Sequence, residues 1–228
     1  MVTQADFKEA REFAKNYGVK ALGYGPPGSG KTPIMNTAPR PCLLAVEPGL
    51  LSMATSTVPT YQAPTWAKID DWFKWLFNSA ETRNYDTAGV DSVSQMCEIY
   101  LRDNPKKVQH GLKLYGLMAE EVGDILHKLY YLQNKHTYLI CKQTVERTEG
   151  DGGKRKPYFP GNDLNVKVPH LYDEIIDIGI HSVPGVGPTR SFQCHSSFDS
   201  YCRDRTGKLN QFEPPDLSAL FAKCMSNS

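Results

Sequence analysis

The stretch "YGPPGSGKTP", residues 24–33, decides how the rest of the chain is read. It is the densest run of glycine and proline, set between an apolar segment, "VKALGYG" at 19–25, and a potential helix start. Gly25-Pro26-Pro27-Gly28-Ser29-Gly30-Lys31-Thr32 fits G-x-x-x-x-G-K-[ST] at every fixed position. Glycines at those places let backbone N–H groups turn inward around an anion. In such a loop Lys31 reaches the β- and γ-phosphates and the Thr32 hydroxyl ligates Mg²⁺. The pyrophosphate is expected on the N-terminus of the helix that follows. A plain surface turn explains the glycines but not the order strand, loop, Lys-Thr. The expectation is therefore a site for ATP and Mg²⁺, with nucleotide contacts from Gly25 through Pro33.

The whole chain sets the limits. At 228 residues a single domain is the default, large enough for its own core. Net charge is +1, so nucleic-acid contact, if any, must come from a local patch. The cysteines at 42, 97, 141, 194, 202 and 224 include no CxxC pair, and several lie in apolar runs, which favours buried free thiols over disulfides. The six histidines are scattered, against a metal–histidine site. "MVTQADFKEAREF" has no apolar stretch of a secretory signal, and no apolar run is long enough to span a membrane. A cytoplasmic protein without membrane contact is expected.

Periodicity orders the elements. Thr3 can cap a helix within 1–18 whose apolar face is Phe7, Ala10, Phe13, Ala14 and Tyr17. "PCLLAVEPG" (41–49) is continuously apolar and ends in Pro-Gly, as a strand covered on both faces would. "IDDWFKWLFNSA" (69–80) is amphipathic, with Trp72, Phe73, Leu76 and Phe77 as its stripe. "YDTAGVDSV" (85–93) reads as a third strand, followed by helices near 92–102 and 112–133, and "TYLICKQ" (137–143) as a fourth. "EIIDIGIHSV" (174–183) and "TRSFQCH" (189–195) are joined by a short turn; "FDSYCRDR" (198–205) is a possible seventh strand before a helix at 216–224. Alternating strands and helices predict an α/β fold with a largely parallel sheet, extended by antiparallel strands near the C-terminus. Residues 144–169, glycine-rich and charged, read as one long structureless loop, a feature usually functional or mobile.

Two carboxylates complete a nucleotide site. Asp91 ends the third strand and suits the Mg²⁺ water shell, although it also suits an N-cap of the next helix. Glu47 ends the second strand, on the carboxyl edge where ligands bind in such sheets, and is a candidate water-polarising base or else a solvated loop residue.

Glutamate after the second strand, "VDSVSQM" at the third and "LICKQ" at the fourth together resemble the RecA-type P-loop ATPase core. The compact size resembles the short Sak-type annealing ATPases of bacteriophages, and the loop "GPPGSGKTP" is similar to AAA-like P-loops of phage proteins. The resemblance covers nearly all of 19–224. It implies Glu47 as catalytic glutamate, Gln143 as γ-phosphate sensor, and a DNA-binding loop directly after Gln143. "CRDRTGKL" (202–209) resembles the basic finger that RecA-like subunits insert into a neighbour's site. Arg203 and Arg205 would then act in trans, and hydrolysis would need a homo-oligomer, filament or ring; a solvated hairpin end is the other reading.

Beyond Gln143 stand Arg147, Lys154, Arg155 and Lys156, then Tyr158 and Phe159. Basic residues beside aromatics suit single-stranded nucleic acid, charge tracking phosphates and rings stacking on bases; a solvated mobile loop has the same composition. The function implied is an ATP-dependent single-stranded-DNA recombinase or annealing protein, working beside a single-strand-binding protein in a host cytoplasm. A helicase- or packaging-type motor and a small P-loop kinase or nucleotide switch are the alternatives.

Overall fold

The computed structural model describes residues 3–105, 111–147 and 153–226. In chain order the strands are β1 (Lys20–Tyr24), β2 (Pro41–Ala45), β3 (Thr60–Gln62), β4 (Thr87–Asp91), β5 (His136–Cys141), β6 (Gln143–Glu146), β7 (Lys154–Pro157), β8 (Glu174–Val183), β9 (Gly187–Gln193), β10 (Arg203–Asp204) and β11 (Phe212–Glu213). The helices are α1 (Ala10–Lys15), α2 (Trp66–Asn78), α3 (Val93–Asp103), α4 (Gly111–Tyr130), α5 (Asp163–Leu171) and α6 (Leu217–Met225).

Among the described residues nine strands form one sheet in the order β11-β9-β8-β1-β5-β4-β2-β3, with β10 beside β8. Strands β1, β2, β3, β4, β5 and the start of β8 run parallel; β9, β10 and β11 add antiparallel pairs. β5 stands between β1, which leads into the glycine loop, and β4, which ends in Asp91. The result is an α/β fold with a mostly parallel central sheet, extended at one edge by antiparallel strands.

Both faces of β1, β2, β4 and β5 are covered and nearly all their residues are buried, whereas the edge strand β3 is exposed. On one face lie Trp72, Phe73, Tyr100, Met118 and Leu126 of α2, α3 and α4, with Leu164 and Val168 of α5. On the other lie Met35, Tyr138, Ile178 and Phe192 with Leu220 and Phe221 of α6. In α2 the buried Ile69, Trp72, Phe73 and Leu76 follow helical spacing, so one stripe meets the sheet. Ser92 caps α3 by accepting from Gln95 N, and Asp216 caps α6 by accepting from Ala219 N. Gly89, weak as a strand former, leaves room for Met35: a Cβ there would lie 2.7 Å from the Met35 sulfur. All six cysteines are buried and unpaired.

Four expectations are corrected. The N-terminal segment is not one helix: Thr3 and Asp6 close a capping box on a short 3-10 turn, and α1 is separate. Its intended apolar face is not buried, Phe7 and Phe13 being 75% and 59% exposed. After Thr32 the chain forms only a five-residue 3-10 turn, Pro33–Thr37, with Pro39 and Pro41 close behind; prolines supply no amide for a longer helical ladder. Residues 144–169 are ordered in large part as the β6–β7 hairpin and α5, their tip at 148–152 lying outside the described residues. The strand expected at 198–205 is reduced to β10.

Candidate nucleotide site

The glycine loop leaves β1 at the carboxyl edge of the sheet. Gly28 and Gly30 have φ of 77° and 89°, a backbone region open chiefly to glycine, which lets the loop curl on itself. Here a cleft of about 700 Å³ opens, lined by the loop between Gly25 and Pro33 except Pro26 and Ser29, by Glu47, Asp91, Ser92, Lys142 and Gln143, and by Arg190. That size suits a nucleotide-scale ligand. Sequence residues far apart thus converge, because β1, β2, β4 and β5 run parallel and all end on this edge.

Lys31 Nζ donates to the carbonyls of Gly25 (2.8 Å) and Pro26 (2.9 Å) within the loop. Burial lowers its pKa, opposed by the nearby Asp91 and Glu47 carboxylates. The Thr32 hydroxyl donates to Asp91 Oδ2 at 2.5 Å. Asp91 is buried, and its pKa is pushed up to about 6 by that burial, with the Glu47 carboxylate adding to the rise and Thr32 and Lys31 opposing it. A hard oxygen pair of hydroxyl and carboxylate, beside a loop shaped for phosphate, fits Mg²⁺. Thr32 would hold the ion directly and Asp91 through water; bound there, Mg²⁺ would offset phosphate charge.

Glu47 is half-buried and accepts from Ser92 Oγ at 2.6 Å, the serine that also caps α3. Its backbone N–H donates to Asp91 O at 3.3 Å. The carboxylate is thereby held against β4 rather than left in solvent. Gln143 opens β6 at the cleft wall, and its Oε1 is buried without a hydrogen-bond partner. A buried unpaired amide oxygen costs free energy unless a ligand or water meets it. Lys142 is tied to Glu98 (2.8 Å) and Gln95 (2.8 Å) of α3.

The residues read as a DNA loop divide. Arg147 is exposed, and Lys154 is half-buried on β7. Lys156 pairs with Glu146 across the hairpin at 2.8 Å. Tyr158 is half-buried. Phe159 is 1% exposed, a core residue that has no face to offer a base. Arg155 is a strut: Nε donates to the buried Asp177 (2.9 Å) and Nη1 to Asp199 (2.8 Å). Asp177 also accepts from Ser200 Oγ at 2.8 Å, and Ser200 lies 2.9 Å from the hydroxyl of Tyr24, the residue before Gly25. A continuous polar chain therefore joins the hairpin to the root of the glycine loop.

Arg203 and Arg205 lie elsewhere. β10 pairs with Glu174 and Ile175 at the start of β8, so both arginines sit at the sheet edge opposite the cleft. Arg203 donates to Pro169 O; Arg205 donates to Asp173, Tyr130 and the His170 carbonyl. They do not reach the cleft of their own chain. Sequence reading missed Arg190, which does; nothing in "PTRSF" marks it, because only the pairing of β9 beside β8 brings it to the loop.

A family model described as an AAA domain matches residues 17–206. The chain belongs to that AAA domain family. The match takes in the glycine loop and makes the chain an AAA-type P-loop ATPase. No curated protein sequence matches this ATPase. Among solved structures it is similar to a KaiC-like protein from the hyperthermophilic archaeon Pyrococcus horikoshii, at 12% identity and a TM-score of 0.44, with 77% of each chain covered. No helix among the described residues of the ATPase is long and apolar enough to cross a membrane.

Proposed function

We propose that this AAA-type ATPase is an ATP-dependent, oligomeric single-stranded-DNA recombinase or annealing protein of phage type. The observation carrying the reading is that Gln143 belongs to two structures at once. It lines the nucleotide cleft, and it is the first residue of the β6–β7 hairpin that bears Lys154 and leads through Arg147. A γ-phosphate meeting the unpaired Gln143 amide would reposition the strand that presents these cations. ATP would thereby set the affinity of the hairpin for the phosphates of a single strand.

In this reading Lys31 and the loop hold ATP, Thr32 and Asp91 hold Mg²⁺, and Glu47 polarises the attacking water. Hydrolysis is completed between subunits of a filament or ring by Arg203 and Arg205 of a neighbour, freed from Pro169 and Asp173. A guanidinium aimed at transferring phosphoryl oxygens lowers the barrier by several kcal/mol. A single-strand-binding protein is the natural partner on the DNA.

The test is ATP turnover with and without single-stranded DNA. Stimulation is expected, with Lys31→Ala abolishing both basal and stimulated rates. Turnover indifferent to single-stranded DNA, with no DNA binding in the presence of an ATP analogue, would sink the proposal while leaving the ATPase itself standing.

A further inference from the structure

Arg190 is an exposed arginine on β9, opposite Ile180 in the antiparallel ribbon formed with β8. Its Nη1 donates to the carbonyl of Ser29 at 2.9 Å, in the middle of the glycine loop. The fit is close: a Cβ on Gly30 would stand 2.0 Å from that same nitrogen. Gly30 thus serves twice, giving the loop its positive φ and leaving space for a guanidinium beside it.

Three features separate Arg190 from a surface arginine that happens to touch a loop. It lines the nucleotide cleft. Among the described residues no carboxylate pairs with it, whereas Lys142, another cleft cation, is neutralised by Glu98. One of its five N–H groups is used on Ser29, so the planar fork retains donors for an anion.

Its direction of approach assigns its role. β9 lies two strands from β1 on one side, and β4 and β2, bearing Asp91 and Glu47, lie two and three strands away on the other. With Glu47 as the base that polarises water, the carboxylates would face the reacting end of a bound polyphosphate. Arg190 reaches the glycine loop at Ser29 from the opposite side, where the phosphates that do not react would then lie. We propose that Arg190 is a nucleotide-binding residue acting within its own chain, clamping the glycine loop through Ser29 and giving charge-assisted hydrogen bonds to the non-transferred phosphates. This rests on the cleft being a nucleotide site and is independent of any role in DNA pairing.

ADP is the decisive probe, because it carries those phosphates without the γ-group. Titration of wild type, Arg190→Ala and Arg190→Lys with ADP and with a non-hydrolysable ATP analogue is the experiment. For Arg190→Ala we expect about 10- to 100-fold weaker binding of both ligands alike. Arg190→Lys keeps the charge but not the fork and recovers part of the loss. In turnover KM should rise more than kcat falls. A loop merely disordered by the substitution would displace Lys31 and depress kcat at least as much. Unchanged ADP affinity in Arg190→Ala overturns the assignment, as does a loss confined to the ATP analogue. Recovery of turnover on mixing Arg190→Ala with Lys31→Ala chains would mean that the arginine serves a neighbour's site, and would overturn its action in cis. A wild-type chain that binds neither ligand would instead remove the nucleotide reading of the cleft.

Discussion

Replacing Asp91 by asparagine should stabilise the ligand-free protein while ending its use of Mg²⁺ and ATP. Asp91 is 8% exposed, and burial pushes its pKa up to about 6 from 3.8 for the free side chain. The folded state thus binds the proton more tightly than the unfolded chain does. The stability linked to that proton is fully present below pH 3.8 and is lost as pH rises to about 6. Each pKa unit corresponds to about 1.4 kcal/mol, so an ionised Asp91 costs the empty fold up to about 3 kcal/mol at pH 7.5. Asparagine keeps the acceptor for the Thr32 hydroxyl and removes the charge. Asp91→Asn should therefore melt higher than wild type at pH 7.5, by roughly 6–12 °C for a chain of this length, and the gain should vanish near pH 4. Saturating MgATP should reverse the order. A ligand at a thousand times its Kd adds about 4.1 kcal/mol to the wild type, more than the gap of about 3 kcal/mol, and the variant should gain little of it. Thermal melts of both proteins at pH 4, 6 and 7.5, with and without MgATP, measure all of this. A variant no more stable than wild type at pH 7.5, or a difference equal at pH 4 and 7.5, would refute the reasoning.

Glu47→Gln should bind ATP with nearly wild-type affinity and lower kcat by about 10²–10³-fold, the usual scale for losing a positioned base; single-turnover hydrolysis checks it, and equal kcat would remove Glu47 from the chemistry. The cations of the hairpin should separate by role. Lys154→Ala with Arg147→Ala is expected to weaken single-stranded-DNA binding and flatten its salt dependence without altering urea unfolding. Arg155→Ala, by leaving the buried Asp177 without its guanidinium, should cost about 3 kcal/mol of stability, readable in the urea midpoint. Glu174 is wholly buried with both carboxylate oxygens unpaired, and burial, reinforced by Asp204, pushes its pKa up to about 8 from 4.5. Stability carried by its proton is present below pH 4.5 and lost as pH rises to about 8. Glu174→Gln should accordingly be the more stable protein by about 3 kcal/mol at pH 7 and indistinguishable from wild type near pH 4.5; a constant gap would show that the carboxyl is not neutral in the fold.

The local chemistry of the chain was open to reading without coordinates. "GPPGSGKT" specifies its turn through glycines at positive φ, and "PCLLAV" specifies a strand covered on both faces. The spacing of Ile69, Trp72, Phe73 and Leu76 specifies a helix, since only that period lines them on one side. The P-loop ATPase core was legible in the glycine loop, and the convergence of Lys31, Thr32, Glu47, Asp91 and Gln143 on one edge follows from parallel strands placed in alternation with helices. What lay beyond reach was set by contacts distant in sequence. Composition made 144–169 look structureless, yet Arg155 is captured by Asp177 and Asp199, and Phe159 by the core, so the segment folds as a hairpin and a helix. The period of the N-terminal segment favoured one buried face, but no surface of the body covers Phe7 or Phe13. Arg203 and Arg205 looked like free charges and are bound to groups thirty or more residues away. Arg190 looked like an ordinary strand residue, and comes to line the cleft only because β9 pairs with β8 and brings its guanidinium to Ser29. Backbone geometry and periodicity are local and legible in the chain; which partner satisfies a given charge is decided by the packed fold.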